Sequence, residues 1–338
     1  MKTAVIGAGR MGRRHIQIVR DLGLDLAGVC DSSADALASA QKEQHVPAAA
    51  VFTDARKLLT QLRPECVIIA TTAPTHCQYT CAAAEAGARH ILCEKPMAVS
   101  LDECDEMIEA CARYGAKLAI NHQMRFMEQY IVPKRLLNSA SFGGLSSVTV
   151  IAGNFGLAMN GSHYFEMFRF MADEEPDEVT AWFSPERVAN PRGPQFEDAG
   201  GCIRITTATK KRFYMDCSTN QGHGMRVIYA APYGQIYVDE LTGFLSAASR
   251  EEQYRNLPTT RYGMPATEYA ERITPADAFA PSRAVLQALL GGGNAPTGEQ
   301  GRLAVRSLVA AFLSSEGGAR SVKLSETSCA KKRRFPWA

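Results

Sequence analysis

The stretch Lys2-Thr-Ala-Val-Ile-Gly-Ala-Gly-Arg-Met-Gly12 decides how the rest of the chain is read. Ala4, Val5 and Ile6 form a short apolar run of the kind that becomes a strand buried on both faces. Gly7, Gly9 and Gly12 follow at once in G-x-G-x-x-G spacing, and residues 10–22 then carry apolar side chains at helical intervals. A second apolar run, 24–30, ends in Asp31. Strand, glycines, helix, strand and terminal acid in this order form a dinucleotide-binding unit. The first glycine allows the turn, the second lets a pyrophosphate approach the backbone, and the third lets helix pack on strand. Arg10 and Met11 open the helix, whose N–H groups and dipole suit the phosphates. Asp31 accepts from ribose hydroxyls and would repel a 2′-phosphate, so NAD is expected in preference to NADP.

The β–α alternation continues outward from this unit. Helices are expected at 33–44, 54–62, 78–86 and 101–114, and strands at 48–52, 66–70, 90–93 and 117–120. Such alternation predicts a doubly wound parallel sheet over residues 1–121. After that the pattern changes. Residues 127–140 read as a helix interrupted by Pro133, and 162–171 as another. Strands are expected at 146–151, 178–183, 201–207, 212–218, 226–231 and 235–240, an open and mostly antiparallel sheet. Residues 243–273 are polar and read as a long loop, and helices 275–290 and 298–313 are expected to pack back on the first domain. The fold class is therefore α/β followed by α+β: a Rossmann domain at 1–121, a substrate and oligomerisation domain at 122–325, and a basic, aromatic tail at 326–338.

A length of 338 residues, 46% apolar and 21% charged, allows two such domains with ordinary cores. The net charge of +2 gives no sign of a nucleic-acid or membrane partner, and no apolar run reaches membrane-spanning length. Ten cysteines sit mostly inside apolar runs and read as reduced thiols of a cytoplasmic protein. Cys77 and Cys81 are four apart on a helix, but no second Cys or His pair completes a zinc site, so no metal is expected. Lys331-Lys-Arg-Arg334 reads as a solvated terminus, and Phe335 and Trp337 behind it as a frayed end or a dock for a neighbouring subunit.

Strand ends facing a dinucleotide carry the candidate chemistry. Thr71, Thr72, Pro74 and His76 follow the fourth strand and suit a cofactor loop. Glu94-Lys95-Pro96 closes the fifth, where the nicotinamide belongs. The Lys95 ammonium there can donate to a hydroxyl or steady a developing alkoxide. His163 opens a helix after the turn at Gly161, and its pKa suits a hydroxyl proton. Polar candidates for the substrate are His122, Gln123, Arg125, Asn154, Asn160 and Tyr164. Arg125 is equally suited to a carboxylate or phosphate and to an ordinary salt bridge.

Gly7 to Gly12, Asp31, Thr71 to His76, Cys93-Glu-Lys-Pro96, Arg125-Phe126 and Gly161-Ser-His163 together resemble the glucose–fructose oxidoreductase/inositol dehydrogenase family, Gfo/Idh/MocA, over almost the whole chain. The resemblance implies that Lys95 and His163 are the catalytic pair, facing cofactor and substrate in an interdomain cleft. It implies a ring hydroxyl or ketone of a sugar, cyclitol or nucleotide-linked sugar as the reacting group, and a homodimer or homotetramer built through the second sheet. Relatives that recycle NAD in elimination, epimerisation or glycosidic cleavage, and a non-catalytic nucleotide-binding regulator, are the alternatives. One position departs from the family pattern. Four residues before His163, where an aspartate is usual, stands Met159, with Asn160 and Ser162 the nearest polar groups.

Overall fold

Three apolar side chains between Thr3 and Gly7 can be satisfied only by burial on both faces, and they form the centre of β1 (Lys2–Ile6). The computed structural model describes residues 1–153, 155–186, 190–222, 224–259 and 263–338, which divide into two compact units. The first comprises Met1–Gln123, Ala278–Val305 and Ala330–Ala338; the second comprises Met124–Asp277 and Arg306–Cys329.

In the first unit the chain alternates β1, α1 (Arg10–Asp21), β2 (Asp25–Cys30), α2 (Ala34–Gln44), β3 (Val51–Phe52), α3 (Ala55–Leu62), β4 (Cys66–Ile69), α4 (His76–Glu85), β5 (His90–Cys93), α5 (Leu101–Tyr114) and β6 (Lys117–Ile120). The strands pair in parallel in the order β3-β2-β1-β4-β5-β6, with the order reversing beside β1. Local signals set the helix starts. Ser33, Asp54 and Ser100 accept from the N–H groups of Ala36 at 3.2 Å, Lys57 at 2.9 Å and Glu103 at 3.2 Å. Residues 48–52, expected as a strand, are a 3-10 turn (Ala48–Ala50) before two strand residues, because β3 is an edge paired only through Val51 and Phe52.

The second unit is built on a sheet ordered β14-β13-β12-β11-β7-β10-β9-β8-β15. Its strands are β7 (Ser147–Ala152), β8 (Pro176–Phe183), β9 (Gly201–Thr207), β10 (Arg212–Asp216), β11 (Met225–Ala230), β12 (Gly234–Asp239), β13 (Phe244–Arg250), β14 (Ala266–Arg272) and β15 (Val322–Lys323). All pairs are antiparallel except β7 with β10. Helices α6 (Glu128–Leu137) and α7 (Ser162–Ala172) belong to this unit. Phe165 and Phe168 of α7 pack on Phe213 at centroid distances of 6.1 and 5.5 Å, so α7 covers one sheet face. The other face stays open, with Ile151, Trp182, Tyr214 and Tyr269 exposed.

Two sequence expectations are corrected. Residues 243–273 are not one long loop. They contain the paired strands β13 and β14; β13 buries Leu245, Ala247 and Ser249, of which only Leu245 is a large apolar side chain, and β14 lies almost wholly in solvent, which leaves little hydrophobic alternation to read. The terminal segment is neither frayed nor separate. Phe335 N–H donates to Val99 O at 2.9 Å, the Trp337 indole donates to Ala98 O at 3.0 Å, and Trp337 is fully buried in the first unit. Helix α8 (Phe279–Gly291) and the start of α9 (Gly298–Glu316) also belong to the first unit; the rest of α9 belongs to the second.

Candidate active site

Each glycine of the first turn meets a different physical demand. Gly7 has φ +100°, and a Cβ there would lie 2.5 Å from the carbonyl carbon of Ala70 on the neighbouring chain crossing. A Cβ on Gly12 would lie 1.8 Å from Gly7 O, so only glycine lets α1 start against the turn. Gly9 is different: a Cβ there meets nothing within 4 Å. Nothing in the protein's own packing requires glycine at that position, and its bare backbone leaves the approach that a pyrophosphate needs. Gly9 caps α1 without a side-chain bond, and no acid sits in the first turn beside Arg10 and Met11. The N-terminal N–H groups of α1 therefore suit an anion.

Asp31 ends the second strand as expected and does a further job. One carboxylate oxygen accepts from Ala8 N–H at 2.7 Å and the other from Ser33 N–H at 2.8 Å. It thereby ties the glycine turn to the end of β2, and each oxygen keeps a lone pair for a further donor. Thr71 and Thr72 lie just past β4, and Thr75 Oγ1 donates to Thr71 Oγ1 at 2.8 Å around Pro74. His76 is buried, with Nδ1 3.0 Å from Pro96 O and Nε2 3.2 Å from Thr71 O. Burial lowers its pKa, against the carbonyls of Thr71 and Pro96 that raise it, and a neutral ring donates to one of these two carbonyls while lying between the Thr71 loop and the Lys95–Pro96 turn.

At the end of β5, Glu94 and Lys95 are both buried, and the Lys95–Pro96 bond is cis. Glu94 Oε1 accepts from Asn121 Nδ2 at 2.8 Å and lies 2.8 Å from His15 Nε2. Asn121 Nδ2 also reaches Ser282 Oγ of α8 at 3.1 Å. Burial alone would raise the Glu94 pKa, but the bond to His15, the charge interactions with His15 and Lys95, and the bond from Asn121 bring it down to about 2. The carboxylate is thus ionised beside Lys95, and it links α1, β5, β6 and α8 at the strand ends. His15 and Asn121 escaped the sequence reading. His15 follows the last glycine by one helical turn on the buried side of α1, a signal that only the strand order turns into a contact. His122 and Gln123 follow β6 and are buried in the same unit.

In the second unit His163 is buried as the second residue of α7, directly after a π-helical segment, Leu157–Gly161. The polar neighbours expected to orient it are engaged elsewhere. Asn160 Nδ2 donates to Phe155 O at 2.6 Å, and Ser162 Oγ donates to Ala158 O at 2.8 Å. A carboxylate distant in sequence occupies this turn instead. Asp198 accepts from Ala158 N–H at 2.7 Å and Met159 N–H at 2.8 Å, while Leu157 N–H donates to Ala199 O at 2.8 Å. Asp198 therefore holds the backbone of the segment in which Met159 replaces the usual aspartate.

Two substrate candidates turn out to be structural. Tyr164 is fully buried, stacked on Phe155 at 5.5 Å, with its hydroxyl donating to Glu240 Oε2 at 2.8 Å. Tyr130 donates to the other oxygen of Glu240. Arg125 is buried and paired with Glu166, whose carboxylate also takes two bonds from Arg169, at 2.7 and 2.9 Å. A buried arginine already committed to a carboxylate serves packing of α7, the salt-bridge alternative for this residue. Asn154 lies outside the described residues.

Residues 1–122 match the family model described as "Oxidoreductase family, NAD-binding Rossmann fold". A D-apiose dehydrogenase of Paraburkholderia graminis is 29% identical over 187 residues, 50% of this chain and 49% of that protein. The inositol 2-dehydrogenase 2 of Saccharopolyspora erythraea is 29% identical over 240 residues, 67% of this chain and 69% of its own. The chain thus spans from about half to two thirds of these relatives' length. The crystal structure of an oxidoreductase from Agrobacterium radiobacter, in complex with NAD+, L-tartaric acid and magnesium, superposes with a TM-score of 0.80 at 17% identity, covering 97% of this chain and 99% of that one. At that identity the likeness is one of fold. No helix among the described residues is long and apolar enough to cross a membrane. The glycine turn, the Asp31 tether and the Glu94-Lys95-Pro96 turn all lie within residues 1–122, the part of the chain that matches the model of this NAD-binding oxidoreductase family, Gfo/Idh/MocA.

Proposed function

We propose that the protein is an NAD-dependent dehydrogenase of a ring hydroxyl in a sugar or cyclitol. The observation that carries this reading is the turn after β5. A buried lysine there stands beside an ionised glutamate that His15 and Asn121 hold in place, within a unit whose glycine turn leaves room for a pyrophosphate. The inositol and D-apiose dehydrogenases among its relatives support a polyol or sugar substrate. The cofactor supplies the hydride acceptor at nicotinamide.

The protein's own residues supply orientation and proton handling. Gly9 and the uncapped start of α1 take the pyrophosphate, and Asp31 takes the ribose hydroxyls. Lys95 donates a hydrogen bond to the reacting oxygen and steadies it as the C–H bond breaks. His163 takes the hydroxyl proton. The open face of the second sheet is the surface for a twin subunit. Net formation of NADH from a polyol panel separates this reading from internal recycling of the cofactor and from a regulator without turnover. Lys95→Ala is expected to lower kcat by about 10²- to 10⁴-fold, the usual worth of a positioned acid or base, with NADH binding retained. Unchanged turnover in a folded variant would refute the assignment.

A further inference from the structure

Helices α4 and α5 pack against each other and bring three ligand-bearing side chains together. Cys77 and Cys81 lie one turn apart on α4, with their sulfurs 4.0 Å from one another. A carboxylate oxygen of Glu106 on α5 completes the group, and the three ligand atoms all lie within 4.8 Å of one another. We propose that Cys77, Cys81 and Glu106 bind a thiophilic divalent cation of the zinc type, with water as the fourth ligand.

The geometry is close to what such an ion imposes. A tetrahedral site with Zn–S bonds of about 2.3 Å sets two sulfurs about 3.8 Å apart. The observed separation of 4.0 Å needs only a small side-chain adjustment, whereas a disulfide would need the sulfurs to close to about 2.05 Å. Cys77 is buried, Cys81 half-buried and Glu106 exposed, so the group has an inner wall and an open side for ion entry and for water.

Three groups that repel when ionised have been set within one coordination sphere, and a dication reverses every one of those repulsions. The balance is simple. One M²⁺, two thiols and one carboxylate give a complex of net charge −1, with two protons released to solvent. Glu85 of α4 and Cys111 of α5 lie near the Cys81 thiol. The residue pattern along α4 alone does not suggest such a site, because the third ligand comes from another helix. Its place matters too: Cys77 directly follows His76, whose ring lies between the Thr71 loop and Pro96. An ion here would pin the first turn of α4 to α5.

The test uses the full chain, reduced and stripped with a chelator, titrated with Cd²⁺ as an optical stand-in. Thiolate-to-metal charge-transfer absorption is expected to saturate at one equivalent. It should vanish at one equivalent in Cys77→Ser and Cys81→Ser. Glu106→Gln should weaken binding by about tenfold or more, the effect of losing one supporting group of a metal site. Cys81→Ala, which favours the helix, is a second variant at that position, and circular dichroism monitors the fold of every variant. Zn²⁺ should raise the Tm of the wild type and not that of Cys81→Ala. Absence of a one-equivalent phase in the wild type, or its persistence in a Cys77→Ser/Cys81→Ser double variant, would overturn the proposal.

Discussion

At the scale of single residues, Glu94 illustrates how a motif gains meaning from its partners. In the sequence it is the first letter of Glu-Lys-Pro. In the fold it is a buried anion held by His15 from α1 and Asn121 from the end of β6. Replacing His15 with alanine leaves that anion short of a partner, which costs roughly 1–3 kcal/mol for a buried charged group. Urea unfolding of His15→Ala should show a lower midpoint with an unchanged slope, and kcat should fall more than the affinity for NADH, because the lysine turn loses its support. An unaltered midpoint would show that His15 does not hold Glu94. The legible part was Lys95 and its neighbours in the chain. His15 and Asn121 were not legible, because their importance is a contact between positions 79 and 27 residues distant from Glu94.

At the scale of elements, α7 is placed by residues that the sequence read as pocket. Tyr164, with Tyr130 of α6, delivers its hydroxyl to Glu240 at the end of β12, and Tyr229 of β11 and Asp239 lie close by. Burial raises Glu240 to about 7, more than its two tyrosine bonds lower it. The sign follows from that direction. Below the ordinary carboxyl pKa both folded and unfolded chains hold the proton, and stability does not change with this group. Between that value and about 7 the unfolded chain ionises first, so stability falls as pH rises, by on the order of 3 kcal/mol in total. Glu240→Gln keeps a neutral acceptor and should flatten this decline in denaturant midpoints measured from pH 4.5 to 7. An identical slope in the variant would exclude Glu240 as the source. The π-helical turn before α7 follows the same logic: Asp198, far away in sequence, caps the segment that holds Met159.

At the scale of the whole molecule, the second unit leaves one sheet face uncovered. Trp182 of β8, Cys202 of β9, Asp216 of β10 and Ile151 of β7 stand in register across four strands, and Trp182 is 55% exposed. An open sheet face with exposed Trp182 and Ile151 is a surface for association. Trp182→Glu is expected to shift the protein to a smaller oligomer in light scattering, with the fold intact. A wild type that is monomeric at all concentrations would end that reading. The first unit gains from the other end of the chain, where Trp337 is buried against Ala98 and Arg334 pairs with Glu103. The basic run looked like a solvated tail because charge dominates its composition. Its two aromatics make it an anchored one.

The sequence by itself determined the parallel sheet, the glycine turn, the acid at the end of β2 and the lysine turn after β5. Each of these is a local pattern, set by side-chain period, backbone permissiveness or adjacency along the chain. Only the tertiary structure decided which polar residues are free to meet a ligand. It committed Arg125 and Tyr164 to buried carboxylates, brought His15 to Glu94 and Asp198 to Met159, and set Glu106 beside two thiols. The reason is physical: a buried polar group must find a partner, and the partner's place along the chain is fixed by packing and not by spacing.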